Sequence, residues 1–161
     1  YMATTSPYEQ HHLFDAWVRD NAEKFVYALG DGDAMHGEWL AQAHGTRYEL
    51  QHGPFVVFGM SCLRNGKLVR FPWDTVTAVA NGADLTVAAV LSDGPPVSIE
   101  EARYRVRFSR HGAIDPVEGA VWRVERHGGV DLVAKWVDPS KEDGKYLPQF
   151  SGREAIWNWR P

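Results

Sequence analysis

The stretch that decides the fold is MHGEWLAQAHGTRYEL at residues 35–50, which a short polar link connects to PFVVFG at residues 54–59. Glu38 directly follows a glycine in a predicted strand, and Phe58 ends the next apolar run. A glutamate needs partners once it is buried, and an aromatic ring offers a flat face on which a base stacks. Together they predict a pocket for a nucleotide.

The residues before this stretch predict one helix. Ser6, Pro7 and Glu9 form a capping-box pattern with proline at the first helical position. Apolar residues then recur at helical spacing: Phe14, Val18, Ala22, Phe25 and Leu29. The sequence GDGD at residues 30–33 is predicted to end this helix.

Beyond residue 33 the hydrophobic pattern becomes that of strands. Four strands are predicted in AMHGEWL (34–40), PFVVFGMSCL (54–63), KLVRF (67–71) and LTVAAVL (85–91). Asn65-Gly66 predicts a hairpin turn between the second and third, and residues 72–80 a short helix. EGAVWRVER (118–126) and VDLVAKWV (130–137) predict a second hairpin, joined by HGG.

Residues 98–110, SIEEARYRVRFSR, fit two patterns. Alternation would place Arg103, Arg105 and Arg107 on one face of a strand. The capping-box pair Ser98 and Glu101 favours a helix, as does the helical spacing of the apolar residues. This helix would present Arg103, Arg107 and Arg110 together. Such a row is typical of a solvated face, and its functional interpretation is a shelf for phosphates.

The remaining features predict a single α+β domain over residues 1–161. Residues 138–161 are rich in turn formers, and we expect Ile156, Trp157 and Trp159 to anchor this tail on the body. The chain contains no repeat and no low-complexity linker. Its apolar fraction of 44% and charged fraction of 24% are those of a soluble globular protein.

Composition limits the functional classes. A net charge of -4 argues against a protein that coats nucleic acid by charge alone. No apolar run approaches the length of a transmembrane helix, so no membrane partner is expected. The single cysteine, Cys62, fits a structural residue in a reducing, cytoplasmic compartment.

Four residues in chain order carry the predicted chemistry. Glu38 and Phe58 come from the first stretch, Glu118 precedes a glycine and an apolar strand, and Lys135 lies in the partner strand of that hairpin. Carboxylates hold a ribose hydroxyl or a magnesium ion, and a lysine neutralises charge on a phosphate. Alternatively, Glu118 and Lys135 form a cross-strand ion pair on an exposed sheet face.

In these residues the sequence resembles the covalent nucleotidyltransferases, most closely the ATP-dependent RNA ligases. HGEWLAQAHGTRYEL is similar to motif III of that family, PFVVFG to motif IIIa, VEGAVWR to motif IV and LVAKWV to motif V. The order and spacing match over roughly residues 35–137. The resemblance implies an ATP-grasp-like α+β fold, in which antiparallel sheets flank a nucleotide-binding groove with helices outside.

The resemblance also implies an activity and a set of residue roles. A lysine would attack the α-phosphate of ATP, and the AMP would pass through lysyl-AMP to a 5′-phosphate end, with RNA favoured over DNA. Glu38 would contact the ribose, Phe58 would stack on adenine, Glu118 would hold the catalytic Mg²⁺ and Lys135 would meet the α-phosphate. Arg123 matches the basic residue that closes motif IV, and the resemblance implies that it also contacts the nucleotide.

Three departures from the family pattern bear on these roles. The nucleophile of the family lies in a Lys-x-Asp-Gly motif upstream of motif III, where this chain has only Lys24, in a predicted helix. Gly59 stands where aspartate is usual, and Ala120 where a larger aliphatic residue is usual. The chain therefore resembles either an N-terminally incomplete adenylation domain or a non-catalytic relative.

One Lys-x-Asp-Gly sequence, KEDG at residues 141–144, follows motif V. A polar turn accounts for it without function, and a rearranged or permuted site is the alternative. A third hypothesis for the whole chain is an interaction domain in which the motif matches are accidental. It predicts that Glu38, Phe58, Glu118 and Lys135 lie on separate surfaces.

Overall fold

In the computed structural model, which describes residues 5–108 and 111–161, the N-terminal segment forms two helices instead of one. These are α1 (Glu9–Asp20) and α2 (Ala22–Ala28). The predicted start at Ser6 is wrong, because Tyr8 is the N-cap and the Ser6 hydroxyl instead accepts from the Tyr8 amide and contacts His11 Nδ1. The helix breaks at Asn21, whose side-chain amide donates to Trp17 O.

The larger sheet is built around one long, buried strand. β2 (Phe55–Arg64) pairs antiparallel with β1 (Asp33–Trp39) on one side and with β3 (Lys67–Arg70) on the other. The predicted Asn-Gly turn between β2 and β3 is confirmed: both turn residues have positive φ, 52° at Asn65 and 73° at Gly66.

The predicted strand at residues 85–91 is reduced to β4 (Thr86–Val87), which runs parallel to β2. This strand is short because it shares the edge of β2 with the β3 segment. The Ala88 amide donates to Val57 O, and only three residues further along β2 the Phe71 amide donates to Met60 O. Little of the edge is left for β4 to extend.

The core lies between this sheet and the helices. Val57 and Met60 of β2 pack against α3 (Trp73–Gly82), where Val76 and Ala80 are fully buried. α3 confirms the short helix predicted at residues 72–80. The rings of Phe14 and other aromatic residues close the α1 side of the core: Trp17, Phe25, Trp39 and Phe55. Cys62 is also buried, as expected of a structural residue.

A helix and a second, two-stranded sheet follow. The helical interpretation of residues 98–110 is confirmed over α4 (Ile99–Arg105), which a 3₁₀ turn extends over Val106–Phe108. The Ser98 hydroxyl accepts from the Glu101 amide as predicted. Arg103 and Arg107 are exposed, whereas Arg110 lies outside the described residues.

The second predicted hairpin is confirmed as β5 (Gly119–Arg126) and β6 (Gly129–Val137). The predicted return of the tail is confirmed as well. After the short helix α5 (Pro148–Ser151), Ile156 O accepts from the Ala43 amide and Trp159 lies 5.9 Å from Trp39, ring centre to ring centre. The α+β class with antiparallel sheets is therefore confirmed.

Candidate functional site

Phe58 is the one outward-facing residue in the buried part of β2. The pairing of β1 with β2 shifts register between His36 and Gly37, which oppose Gly59 and Val57 and leave Phe58 as the extra residue of a bulge. Phe58 is 49% exposed, whereas Val57, directly before it, and Met60, two residues after it, are 0% and 1% exposed. An aromatic ring at this position is accessible to a ligand.

Glu38 lies on the neighbouring strand β1, directly after the register shift between His36 and Gly37. It pairs with Val56, and both lie on the face of the sheet opposite the core-facing Val57. Gly37 beside it allows the close packing, because a Cβ at Gly37 would lie 2.3 Å from the Phe55 ring and 2.9 Å from Val56 O. The glycine and the acid of motif III therefore have separate roles, one in packing and one at the surface.

Glu118 and Lys135 come together on the hairpin. Lys135 Nζ lies 3.5 Å from Glu118 Oε2, and both side chains are about half exposed, 58% and 44%. Gly119 sets this geometry, since a Cβ there would lie 1.9 Å from Trp136 O. The expected cross-strand ion pair is present, and its exposure keeps its contribution to stability small.

The Glu38 carboxylate, on the larger sheet, lies close enough to the hairpin for charges there to shift its pKa. Packing of protein around the carboxylate raises this pKa, the negative charge of Glu118 raises it further, and the positive charge of Lys135 opposes both. Glu38 nevertheless keeps access to solvent. Three of the four predicted residues, Glu38, Glu118 and Lys135, thus lie close enough for their charges to interact. These three are not scattered over separate surfaces, and Phe58 is exposed at the bulge of the strand that pairs with β1.

Arg123 is occupied by contacts that hold the hairpin on the larger sheet. Its guanidinium donates to Phe71 O and to Glu125 Oε1, and its side chain is 18% exposed. Glu125 Oε1 also accepts from the Trp73 amide at the start of α3, at 2.7 Å. These bonds give Arg123 a positioning role for the hairpin.

Lys141 and Asp143 of the KEDG sequence lie beside the site. The chain forms a turn from Asp143 onward, in keeping with the polar-turn interpretation. Lys141 Nζ donates to Pro116 O at 2.7 Å and to the Thr46 hydroxyl. Burial and then the charge of Lys145 lower the Lys141 pKa, while carboxylates including Glu118 oppose that shift.

Tyr48 and His44 also belong to the surroundings of the two glutamates, although no motif singled them out. Burial raises the pKa of Tyr48, and the charges of Glu118 and Glu38 add to the shift. Burial lowers the pKa of His44, whose Nε2 lies 2.9 Å from Gln10 Oε1. Both lie in residues 35–50, where only their closeness in sequence to Glu38 pointed to them.

The described residues contain no group of three or more His, Cys, Asp or Glu side chains placed to hold a metal ion. Residues 5–108 and 111–161 also contain no helix of the length and apolarity that a membrane crossing requires. The acidic groups close to Glu38 include Glu118 and Asp143, and Lys135 is paired with Glu118.

Comparison with known families gives the class of protein. The sequence model of the family described as RNA ligase matches residues 1–137. The chain therefore belongs to the RNA ligase family, whose members act on RNA ends and generally depend on ATP. Neither the curated proteins nor the solved structures gave a match.

The family match ends at Val137, four residues before Lys141. It covers all four motifs on which the resemblance rested and excludes the KEDG turn. Function of the RNA ligase type is thus assigned to the part of the chain that carries Glu38, Phe58, Glu118 and Lys135.

Proposed function

We propose that residues 1–161 form an adenylation domain of an ATP-dependent RNA ligase, which transfers AMP through a lysyl-AMP intermediate to a 5′-phosphate end. The observation that carries this proposal is the electrostatic coupling of Glu38 to Glu118 and Lys135 across two sheets. Residues from motifs III, IV and V, distant in the sequence, lie close together, as binding of a common ligand requires. Residence in the cytoplasm stays a prediction.

Each side chain has a role that its position supports. Phe58, accessible at the bulge, stacks on the adenine, and Glu38 on the neighbouring strand accepts a hydrogen bond from a ribose hydroxyl. Lys135, paired with Glu118 at 3.5 Å, contacts the α-phosphate. Arg123 acts mainly by holding the hairpin, so its predicted contact with the nucleotide is secondary in this proposal.

The donor set fits magnesium that arrives with the nucleotide. Mg²⁺ is usually held by one or two carboxylates together with substrate phosphates and water. Glu118 would supply one carboxylate, and Glu38 lies close enough for their charges to interact. When bound, the ion would neutralise charge on the triphosphate, and Glu118 is the residue that would hold it.

The proposal also requires a nucleophile, namely a lysine that attacks the α-phosphate of ATP. A neutral lysine amine forms a nitrogen–phosphorus bond to the α-phosphorus and gives up a proton to solvent, while the bond from that phosphorus to the bridging oxygen of the β-phosphate breaks and pyrophosphate leaves. The resemblance assigns this amine to a Lys-x-Asp-Gly motif upstream of Glu38. Lys141 is the alternative that the fold supports, because its Lys-x-Asp-Gly turn packs against the site and burial lowers its pKa.

Self-labelling tests the proposal. The full-length protein with α-³²P-labelled ATP and Mg²⁺ should form an adduct that acid releases and alkali does not, as expected of a phosphoramidate. Glu118→Gln and Lys135→Ala should abolish it. Mass spectrometry of the labelled peptide identifies the lysine, and Lys141→Ala distinguishes the permuted site from an upstream one. The absence of any adduct in the full-length protein would refute the lysyl-AMP mechanism.

A non-catalytic relative that binds nucleotide or RNA ends is the second candidate. It is favoured by the pairing of Lys24, whose amine lies 2.9 Å from Asp84 Oδ2. Saturable ATP binding without an adduct would support this candidate. Loss of stacking in Phe58→Ala should weaken that binding by about 1–3 kcal/mol, measured by calorimetry.

A further inference from the structure

A second feature of the molecule is a cleft on the outer face of the β5–β6 hairpin. Its volume is about 200 Å³, and its charged and aromatic lining comprises Arg103, Arg107, Asp115, Trp136 and Asp138. Trp136 follows Lys135 on β6, so the two side chains lie on opposite faces. The Trp136 side of the cleft therefore lies on the face of the hairpin opposite Lys135.

The cleft nevertheless reaches the end of the hairpin where the proposed nucleotide site lies. Val117 contributes to its lining, and the next residue is Glu118. The Asp138 amide donates to Glu118 O at 2.8 Å, which joins the two chain segments at this end. A strand of nucleic acid lying in the cleft would need to pass only the end of the hairpin to reach Glu118.

The two acids of the cleft are already engaged by other partners. Arg47 and Tyr146 both donate to Asp115, and this pairing holds the pKa of Asp115 well below its usual value. Ser140 donates to Asp138 through both its amide and its hydroxyl. Their negative charges are thus partly neutralised within the protein.

The two arginines are more available. Arg103 lies 5.8 Å above the centre of the Trp136 ring and 3.8 Å from Asp138, with 56% of its side chain exposed. An exposed pair at this distance is worth at most about 1 kcal/mol, so a phosphate competes with it. Arg107 is exposed and has no acidic partner among residues 5–108 and 111–161.

We propose that this cleft binds the backbone of the RNA strand next to the end being joined, with one phosphate on Arg103 and one on Arg107. Trp136 holds the Arg103 guanidinium flat and limits its motion. A planar guanidinium binds a phosphate through two parallel hydrogen bonds. The inference rests on the proposed function for the identity of the strand, and it assigns the substrate-binding step to the outer face of the hairpin.

Anisotropy of a fluorescent, 5′-phosphorylated, single-stranded RNA bound to the full-length protein tests the cleft without ATP. Arg103→Gln with Arg107→Gln should weaken binding by 10-fold or more and reduce the slope of log K against log salt by about 1.4, or about 0.7 for each lost phosphate contact. Arg126→Gln is the matched control, since Arg126 is exposed at the other end of the hairpin; its affinity should change by less than twofold.

Two further results complete the test. Arg103→Lys with Arg107→Lys keeps the charge and should retain at least a third of the affinity. Unchanged affinity and salt slope in the glutamine variant would overturn the proposal, and so would displacement of the RNA by inorganic phosphate at equal concentration. Because the assay contains no ATP, arginine-dependent RNA binding by a protein that never labels itself would refute the lysyl-AMP mechanism and leave the cleft in place.

Discussion

The β1–β2 sheet and the β5–β6 hairpin are both antiparallel pairs of similar length, but their surroundings differ. Seven of the first eight residues of β2 are buried, and Phe58 is the exception. No residue of β5 or β6 is buried to that degree. The hairpin is held instead by polar contacts such as those of Arg123 with Phe71 and Glu125.

The contrast indicates that the larger sheet provides most of the stability of the fold and that the hairpin mainly carries side chains of the proposed site. The larger sheet carries the hydrophobic core and presents the site through Glu38 and the bulged Phe58. The hairpin contributes little to the core and carries Glu118 and Lys135 at its surface. Substitutions in the two regions should therefore differ in kind: those at buried positions of β2 should destabilise the whole protein, and those in the hairpin should change the site in a folded protein.

The largest expected loss of unfolding free energy is for a substitution at Met60, and it is compared with a substitution at Phe58, two residues away in β2. Met60→Ala should cost about 2–5 kcal/mol of unfolding free energy, because it empties volume in the core around a side chain that is 1% exposed. Phe58→Ala should cost less than about 1 kcal/mol, since Phe58 is half exposed. Urea denaturation measures both. Equal losses would show that Phe58 is a core residue.

A smaller loss of unfolding free energy is expected for a substitution at Asp115, shortly before the hairpin. Asp115 is 11% exposed and accepts hydrogen bonds from Arg47 and Tyr146, so Asp115→Asn should cost about 1.5–3 kcal/mol at pH 7. Its folded pKa is lowered, so this stability is present above about pH 4 and is lost as the pH falls further.

Urea denaturation at pH 7 and pH 3 checks this dependence. The difference between wild type and Asp115→Asn should shrink at the lower pH. The control is Asp131→Asn, whose exposed ion pair with Arg126 at 3.4 Å should contribute little at either pH. A difference that does not depend on pH would mean that the ionised carboxylate of Asp115 adds nothing to stability.

Gly119→Ala should act on the hairpin alone. The added methyl group would lie 1.9 Å from Trp136 O, so the pairing of Gly119 with Val137 cannot persist. Hydrogen exchange should become at least 10-fold faster in β5 and β6, and exchange in β2 should remain slow. Equally faster exchange in both sheets would show that they unfold as one unit.

The smallest effect on stability is expected for Glu38→Gln. Packing and Glu118 raise the Glu38 pKa, so its ionised form is disfavoured in the folded protein. At pH 7 the variant should be slightly more stable, within about 0.5 kcal/mol given the solvent access of Glu38. The gain should vanish as the pH falls through the raised pKa, because the wild-type carboxyl is then neutral.

Thermal unfolding from pH 4 to pH 8 measures this difference. Glu49→Gln, a change at an exposed glutamate nearby, should show no such trend. A less stable Glu38→Gln at pH 7 would mean that the Glu38 carboxylate is stabilised by Lys135 more than it is destabilised by Glu118.

The sequence predicted those parts of the fold that depend on local patterns. The Asn65-Gly66 turn, the Ser98 cap and both hairpins follow from short-range chemistry, and the structure confirms them. The shortening of β4 and the break at Asn21 were missed. The first depends on how β3 shares the edge of β2, and the second on one side-chain hydrogen bond.

The residues of the candidate site were also predicted from the sequence only in part. Ordered motifs identified Glu38, Glu118 and Lys135, whose charges the structure brings together. Tyr48 and Lys141 were not assigned to the site, because the packing that places them there involves contacts distant in sequence, such as that of Lys141 with Thr46. The bulge that exposes Phe58 also depends on pairing between strands, although its aromatic character was visible in the sequence.

The most direct test of the central claim is an NMR titration of the protein with ATP complexed to Mn²⁺, whose unpaired electrons broaden nearby signals. We predict saturable broadening centred on the backbone amides of Glu38, Phe58, Glu118 and Lys135, removed by excess Mg·ATP. Broadening centred on the turn that joins β5 to β6, or broadening that never saturates, would contradict the convergence of these four residues on one nucleotide.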